Sequence, residues 1–339
     1  MKLRKLISLC MAILVVLTMV TACGGNAPAA DAEKEPATEN TESSTSDTAE
    51  TKIKVGFSQT GNAHPWRIMQ TNDLQASAEA RGYEFVWTDA QEDTAKQIQN
   101  VEELINQGID YLVFDPREYD ASYAAVEKAR EAGVPVIVVD REVKGEVGTD
   151  FITTIASDFE KEGRMAAEWL QNNVEGEIKI VEISHIIGSS AEIGRSAGFH
   201  EVVDADPNMT IVASQTGNAV RAEAQKVMEN LLQSHMGEFN VVFTHADDMA
   251  IGIVQAIKGA GLVPGEDIIV VAVDGMKEAV QMVVDGEIDC IVTCSPYYGE
   301  IVFDTLDKIV AGEQVPEKIV VEDYIIDKTN ADEELLKAY

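Results

Sequence analysis

The chain has 339 residues, 45% of them hydrophobic, and a formal net charge of −33. That length is enough for two domains and that hydrophobic fraction for proper cores. The acidic balance argues against nucleic-acid binding, suits solubility and says little about fold.

The N-terminus reads as a leader. Lys2, Arg4 and Lys5 form a basic region and residues 6–20 an apolar one, followed by Val20-Thr21-Ala22-Cys23. This order is that of a signal peptide over residues 1–23, and its end resembles a lipobox, whose cysteine is acylated after cleavage. The alternative is an uncleaved anchor with a chance cysteine. A lipid on Cys23 would attach the chain to a membrane without spanning it. No other run approaches the ~20 apolar residues that a spanning helix needs. Residues 24–51 are rich in Ala, Glu, Thr, Ser and Asp, with almost no large apolar side chains. Such a stretch buries too little surface to offset its ordering entropy and reads as a disordered tether. Cys10 leaves with the leader. Cys290 and Cys294 share one expected strand, where residues four apart lie roughly 13 Å from each other and cannot bridge. No disulfide framework, zinc pattern or cofactor motif emerges.

The body starts at Lys52. A strand at 53–57 leads into the loop 58–65 and a helix at 66–80, ending at Gly82. A strand at 84–87 precedes a helix that Asp93 or Thr94 opens and that reaches Gln107-Gly108. A strand at 111–114 ends at Asp115-Pro116, and a helix at 121–132 ends at Gly133. The strand at 134–139 ends at Asp140-Arg141; another spans 152–155, and Asp158 caps a helix running to 173. Then the pattern restarts, with a strand at 178–183, a loop at 184–194, a helix opening near Arg195, a strand at 210–213 and a helix at 221–234. After the strand 241–244, Asp247 or Asp248 caps a helix whose apolar face is Met249, Ile253, Ala256, Ile257 and Ala260. Gly261 suits a left-handed C-terminal position, and Pro264 stops continuation. Residues 268–273 are apolar throughout, as in a parallel strand covered on both faces, and end at Asp274-Gly275. A helix at 277–285 and a strand at 290–293 follow. Alternating strands and helices mean parallel sheets with crossover helices, and two such series mean two doubly wound α/β lobes. Ser-Gln-Thr-Gly-Asn occurs at 58–62 and 214–218, but after strands with different places in their series, so the repeat is coincidence.

Ligands of such sheets bind beyond the carboxyl ends of the strands. His64, Trp66 and Arg67 follow the first strand, Asp140 and Arg141 follow a fully apolar one, and Asp274 follows another. Each has a plainer alternative: a core aromatic for Trp66, a surface ion pair of little energetic weight for Asp140 and Arg141, a helix cap for Asp274.

The segment THADDMAIGIVQAIKGAGLVPGEDIIVVAVDG, residues 244–275, resembles the periplasmic sugar-binding proteins of ABC transporters, of the ribose- and galactofuranose-binding type. The resemblance runs from about Lys54 to the C-terminus. It implies a type I periplasmic binding protein with a three-segment hinge, one lobe made of 52–156 plus 295–318 and the other of 157–294 plus 319–339. It also implies that His64, Trp66, Arg67, Asp140 and Arg141 supply an aromatic wall and sugar-binding polar groups, Asp-Arg being the most specific sign. Residues 193–199 resemble the family's Arg-x-x-Gly-Phe helix start, which gives Arg195 the same role, and Asp274 matches a cleft aspartate. Weaker matches are Thr293 and Cys294 at a hinge strand, and Asp115 at an asparagine of the ribose binders, where a turn residue is the alternative. One departure stands out: His245-Ala246-Asp247 replaces His/Gln-Asn-Asp, so a sugar-binding amide is missing, and a different sugar, His245, a water or a neighbour must account for it.

The resemblance implies the binding component of a monosaccharide importer, partnered by permease and ATPase subunits, and the leader with Cys23 adds the expectation of a lipid anchor on the outer face of the cytoplasmic membrane. Galactofuranose or a galactose-like hexose comes first, because Trp66-Arg67 is the galactofuranose binder's arrangement and the ribose binder has two phenylalanines there. Arabinose and ribose compete. An enzyme on the same fold finds no metal-ligand cluster, Gly-x-Ser-x-Gly or phosphate loop, and the five histidines lack His-x-x-x-His spacing. A transcription regulator would need a cytoplasmic helix-turn-helix. A sensor lobe for a membrane kinase or chemoreceptor stays open.

Overall fold

The structure, a computed structural model, describes residues 52–339; the expected leader, Cys23 and the tether lie outside the described residues. In chain order the elements are β1 (Lys54–Gln59), α1 (Pro65–Ala80), β2 (Glu84–Asp89), α2 (Thr94–Asn106), β3 (Tyr111–Phe114), α3 (Tyr123–Glu131), β4 (Val136–Val139) and β5 (Thr153–Ser157). Then come α4 (Phe159–Asn173), β6 (Ile178–Ser184), α5 (Ser190–Ala205), β7 (Met209–Thr216), α6 (Arg221–His235), β8 (Val241–Thr244) and α7 (Asp247–Gly259). The chain closes with β9 (Ile269–Asp274), α8 (Lys277–Val284), β10 (Cys290–Thr293), α9 (Gly299–Val310), β11 (Lys318–Val321), β12 (Ile325–Asp327) and α10 (Ala331–Glu334).

Two six-stranded sheets result, ordered β11-β5-β4-β3-β1-β2 and β12-β10-β9-β8-β6-β7. The apolar runs explain the central strands: β4 and β8 are buried at every position. All pairings are parallel except β12 on β10. The chain passes between the sheets three times, through α4, through α9 and between β11 and β12. Residues 319–321 pair with β5 in the first sheet, whereas the sequence expectation ended that lobe at 318.

Two helix starts differ from expectation. The α5 helix opens at Ser190, because the Ser189 hydroxyl accepts the Glu192 N–H at 3.2 Å; Arg195 therefore sits in its second turn. At α7 the N-cap is Ala246, with no side-chain cap bond, and Asp247 and Asp248 fall inside the first turn. Asp93 and Asp158 do cap α2 and α4, accepting from Lys96 N at 2.8 Å and Lys161 N at 3.1 Å.

Helices α4 and α5 approach backbone to backbone. A Cβ on Gly163 would lie 2.0 Å from the Arg195 carbonyl oxygen, and one on Gly198 would lie 1.9 Å from that of Glu160. No larger residue fits there, and this closeness sets Glu162 of α4 against Arg195 of α5.

Candidate functional site

The carboxyl ends of β1, β4, β6 and β9 face one cavity of about 450 Å³. On the first lobe, Pro65 occupies the opening turn of α1 and His64 caps it, Nδ1 accepting the Trp66 N–H at 3.2 Å. Trp66 is only 5% exposed. Its indole N–H donates to the Cys294 carbonyl at 2.8 Å, and its ring meets Tyr298 edge-on. It is a core aromatic and a cavity wall at once.

Behind it, the buried Arg67 guanidinium lies 4.5 Å from the Trp66 ring centre. It donates to Asp115 and is paired with Asp140 at 2.7 Å. Asp140 has φ +58°, a left-handed conformation that aspartate tolerates better than most residues. Arg141 donates to the Arg117 carbonyl at 3.2 Å, and its buried Nε has no hydrogen-bond partner.

The second lobe answers with a similar pair. Arg195 Nε donates to Glu162 at 2.6 Å and Nη1 to the His245 carbonyl at 2.5 Å, while Nη2 stands 3.7 Å from Asp274. Asp274 ends the largely buried β9 with φ +120°. It does not cap α8: Asp247 accepts the Gly275 and Met276 N–H groups, at 2.9 and 2.5 Å.

Burial governs the charges. It works against the Arg67 cation, but Asp115 and then Asp140 outweigh it, so its pKa rises. Asp115 is pushed up to about 7 by burial, with Arg67 opposing. Burial also opposes the Arg195 charge, and Glu162 outweighs it. Asp274 stands well above the usual carboxylate range, through burial and then the charge of Asp247. His64 falls to about 4, chiefly by burial. His185 is held well below its ordinary value by burial and then by Arg141, Arg195 and Arg67. Both imidazoles are therefore neutral hydrogen-bonding groups near pH 7. Burial likewise raises the Cys294 thiol, so it is no thiolate.

Of the residues singled out in the sequence, His64, Trp66, Arg67, Asp140, Arg141, Arg195, Asp274 and Cys294 line the cavity. Three others do not. Asp115 lies beneath it as the partner of Arg67. Thr293 accepts the Tyr324 N–H at 2.9 Å and donates to Asp323 at 3.3 Å, which ties it into the crossover. His245 is wholly buried with Nε2 3.1 Å from Glu182, a carboxylate that also accepts from Ser196 and Ser214. Its side chain therefore cannot stand in for the amide that Ala246 lacks. Sequence reasoning missed His185, Glu92, Arg221 and Asp248. His185 directly follows β6, so the strand-end rule applied to it as well; Asp248 had been read only as a helix cap.

The arrangement offers charged forks and neutral imidazoles to hydroxyls, and an indole to a C–H face. Among the described residues no group of three or more His, Cys, Asp and Glu could hold a metal ion. The lobes also touch across the cavity mouth: Tyr119 N–H donates to the Gly188 carbonyl at 3.0 Å and Glu142 N–H to Ser190 Oγ at 2.8 Å.

Comparison with known proteins bears on this geometry. Residues 55–314 match the periplasmic binding protein domain. A galactofuranose-binding protein of Escherichia coli is 33% identical over 272 residues, 79% of this chain and 86% of the relative. A ribose import binding protein of Bacillus subtilis is 34% identical over 270 residues, 79% of this chain and 85% of the relative. Among solved structures, the binding component of the arabinose ABC transporter from Shewanella sp. ANA-3, bound to α- and β-L-arabinofuranose, superposes with a TM-score of 0.80 at 37% identity. It covers 84% of this chain and 95% of that one.

Proposed function

We propose, for a chain that belongs to the periplasmic binding protein family and to its sugar-binding members that serve ABC importers, capture of one monosaccharide in furanose form between the two lobes. The protein is a binding component and not an enzyme. The observation that carries the furanose-site reading is the pair of facing forks, Arg67 with Asp140 and Arg195 with Asp274, on opposite walls beside Trp66. A sugar hydroxyl donates and accepts at once. A carboxylate beside a guanidinium satisfies both functions with charge-assisted bonds. A cavity of about 450 Å³ suits a small ligand.

Support for the furanose ring comes from what the relatives bind, galactofuranose and arabinofuranose in two of the three, and from Trp66-Arg67. A galactofuranose-like hexose leads, and arabinose and ribose follow. Permease and ATPase subunits are the partners. The working lobes are 52–157 with 295–321 and 158–294 with 322–339, and ligand closes them. Cys23 carries the lipid that holds the protein on the outer face of the cytoplasmic membrane.

Calorimetry with a galactofuranoside, galactose, arabinose, ribose and glucose tests the ligand. One furanose-forming sugar should bind wild type, and Asp140→Ala should abolish that binding, because Arg67 then turns wholly to Asp115. Binding by none of them, or undiminished binding by the variant, would sink the proposal. For the anchor, Cys23→Ser should release the protein from the membrane fraction; unchanged partitioning refutes acylation.

A further inference from the structure

Strand β6 pairs with β8 so that Ile183 faces Thr244. His185 directly follows the end of β6, and Ala246 lies two residues past the end of the neighbouring β8. Ala246 is buried and offers no polar atom beyond its backbone. His185 is 8% exposed and lines the cavity, and its Nδ1 is buried without a hydrogen-bond partner. Its backbone is fixed, since the carbonyl accepts the Thr216 hydroxyl at 2.6 Å.

Several other polar side chains of the cavity are engaged, although His64 Nε2 and Arg141 Nε are, like His185 Nδ1, buried without a partner. Arg221 Nη2 holds Asp248 at 2.7 Å, Asn218 donates to Glu223 at 2.8 Å, and His64 spends Nδ1 on the Trp66 N–H at 3.2 Å. A buried polar atom left unpaired is costly, so an unpaired cavity-lining imidazole calls for a ligand group. Burial and the neighbouring guanidiniums keep the ring neutral, and a neutral imidazole has one donor and one acceptor nitrogen.

We propose that His185 is a specificity-determining residue, which hydrogen-bonds one hydroxyl of the bound sugar inside the cavity. This rests on the sugar-binding reading and refines it. A site that pairs a buried polar group with a particular hydroxyl discriminates against analogues lacking that hydroxyl.

The test uses the mature full-length protein, the sugar that wild type binds best, and the set of its single-deoxy analogues, by calorimetry. His185→Ala should bind the parent sugar about tenfold more weakly. One deoxy analogue, lacking the hydroxyl that His185 reads, should bind wild type and variant equally; the remaining analogues should keep the tenfold gap. His185→Gln, which restores a donor and an acceptor, should recover most of the parent affinity. If His185→Ala does not fold, His185→Gln carries the series, and its residual affinity change should vanish for that same analogue alone. A gap of the same size for every analogue would mean that the ring only packs, and unchanged parent affinity would mean that it touches no hydroxyl; either overturns the assignment. Failure of wild type to bind any sugar is read without a variant; it removes the sugar-binding reading and this assignment with it.

Discussion

Arg195 and Glu162 form a buried pair, 3% and 0% exposed at their side chains. Burial raises the Glu162 pKa, and Arg195 opposes that rise. Removing one member leaves the other charge uncompensated, which costs about 3–5 kcal/mol in typical buried pairs. Arg195→Ala should therefore lose ligand binding and lower unfolding stability by about that amount in urea. Adding Glu162→Gln should restore much of the stability and none of the binding. Full stability in the single variant would mean that the pair is not what holds this wall. The strand-end rule pointed to Asp140, Arg141 and Asp274, all of which line the cavity. The partners were not readable. Glu162 comes to Arg195 from another helix, 33 residues away, and Asp115 to Arg67 from 48 residues away. His245 shows the converse, where sequence located the residue at a strand end and only packing against Glu182 fixed which way its ring turns.

Among the elements, the buried apolar strands and the helices with clear periodicity were legible, and the crossover was not. Strands β11 and β12 are short and mostly exposed or half-buried, without the fully buried run of β4 or β8, and they carry the third passage between the lobes. Asp323 lies between them and accepts from the Thr293 hydroxyl at 3.3 Å. Burial, followed by the charge of Glu162, pushes its carboxyl up to about 8. An unfolded aspartate titrates near 4. Between about pH 4 and about pH 8 the folded chain thus holds more proton at this site than the unfolded chain does. Where the folded state binds more protons, stability falls as pH rises. Asp115 and Asp247, each raised to about 7 by burial, act in the same direction. Melting temperatures taken from pH 4 to pH 8 should therefore decline across this window insofar as these groups govern it, and Asp323→Asn should flatten the decline. An identical slope in wild type and variant would remove Asp323 from the account.

For the whole molecule, the mouth contacts matter most. Tyr119 to Gly188 and Glu142 to Ser190 join the lobes directly, through residues outside the three crossover segments. Both are contacts between the lobes and not with ligand, so parting the lobes would break them. A ligand touching both forks adds free energy to the closed population and shifts the equilibrium toward it. Scattering should show a smaller radius of gyration when sugar is added. Ser190→Ala removes one closed-state hydrogen bond, about 1 kcal/mol net, which corresponds to roughly fivefold weaker apparent binding. Because Ser190 is bonded to backbone outside the forks, the loss should be equal for the parent sugar and every deoxy analogue, and should come from faster release. That uniform loss separates it from His185, whose loss is tied to one hydroxyl. If Ser190→Ala binds as tightly as wild type and scatters identically with and without sugar, closure is not linked to ligand capture through this contact, and the two lobes act as a fixed cleft.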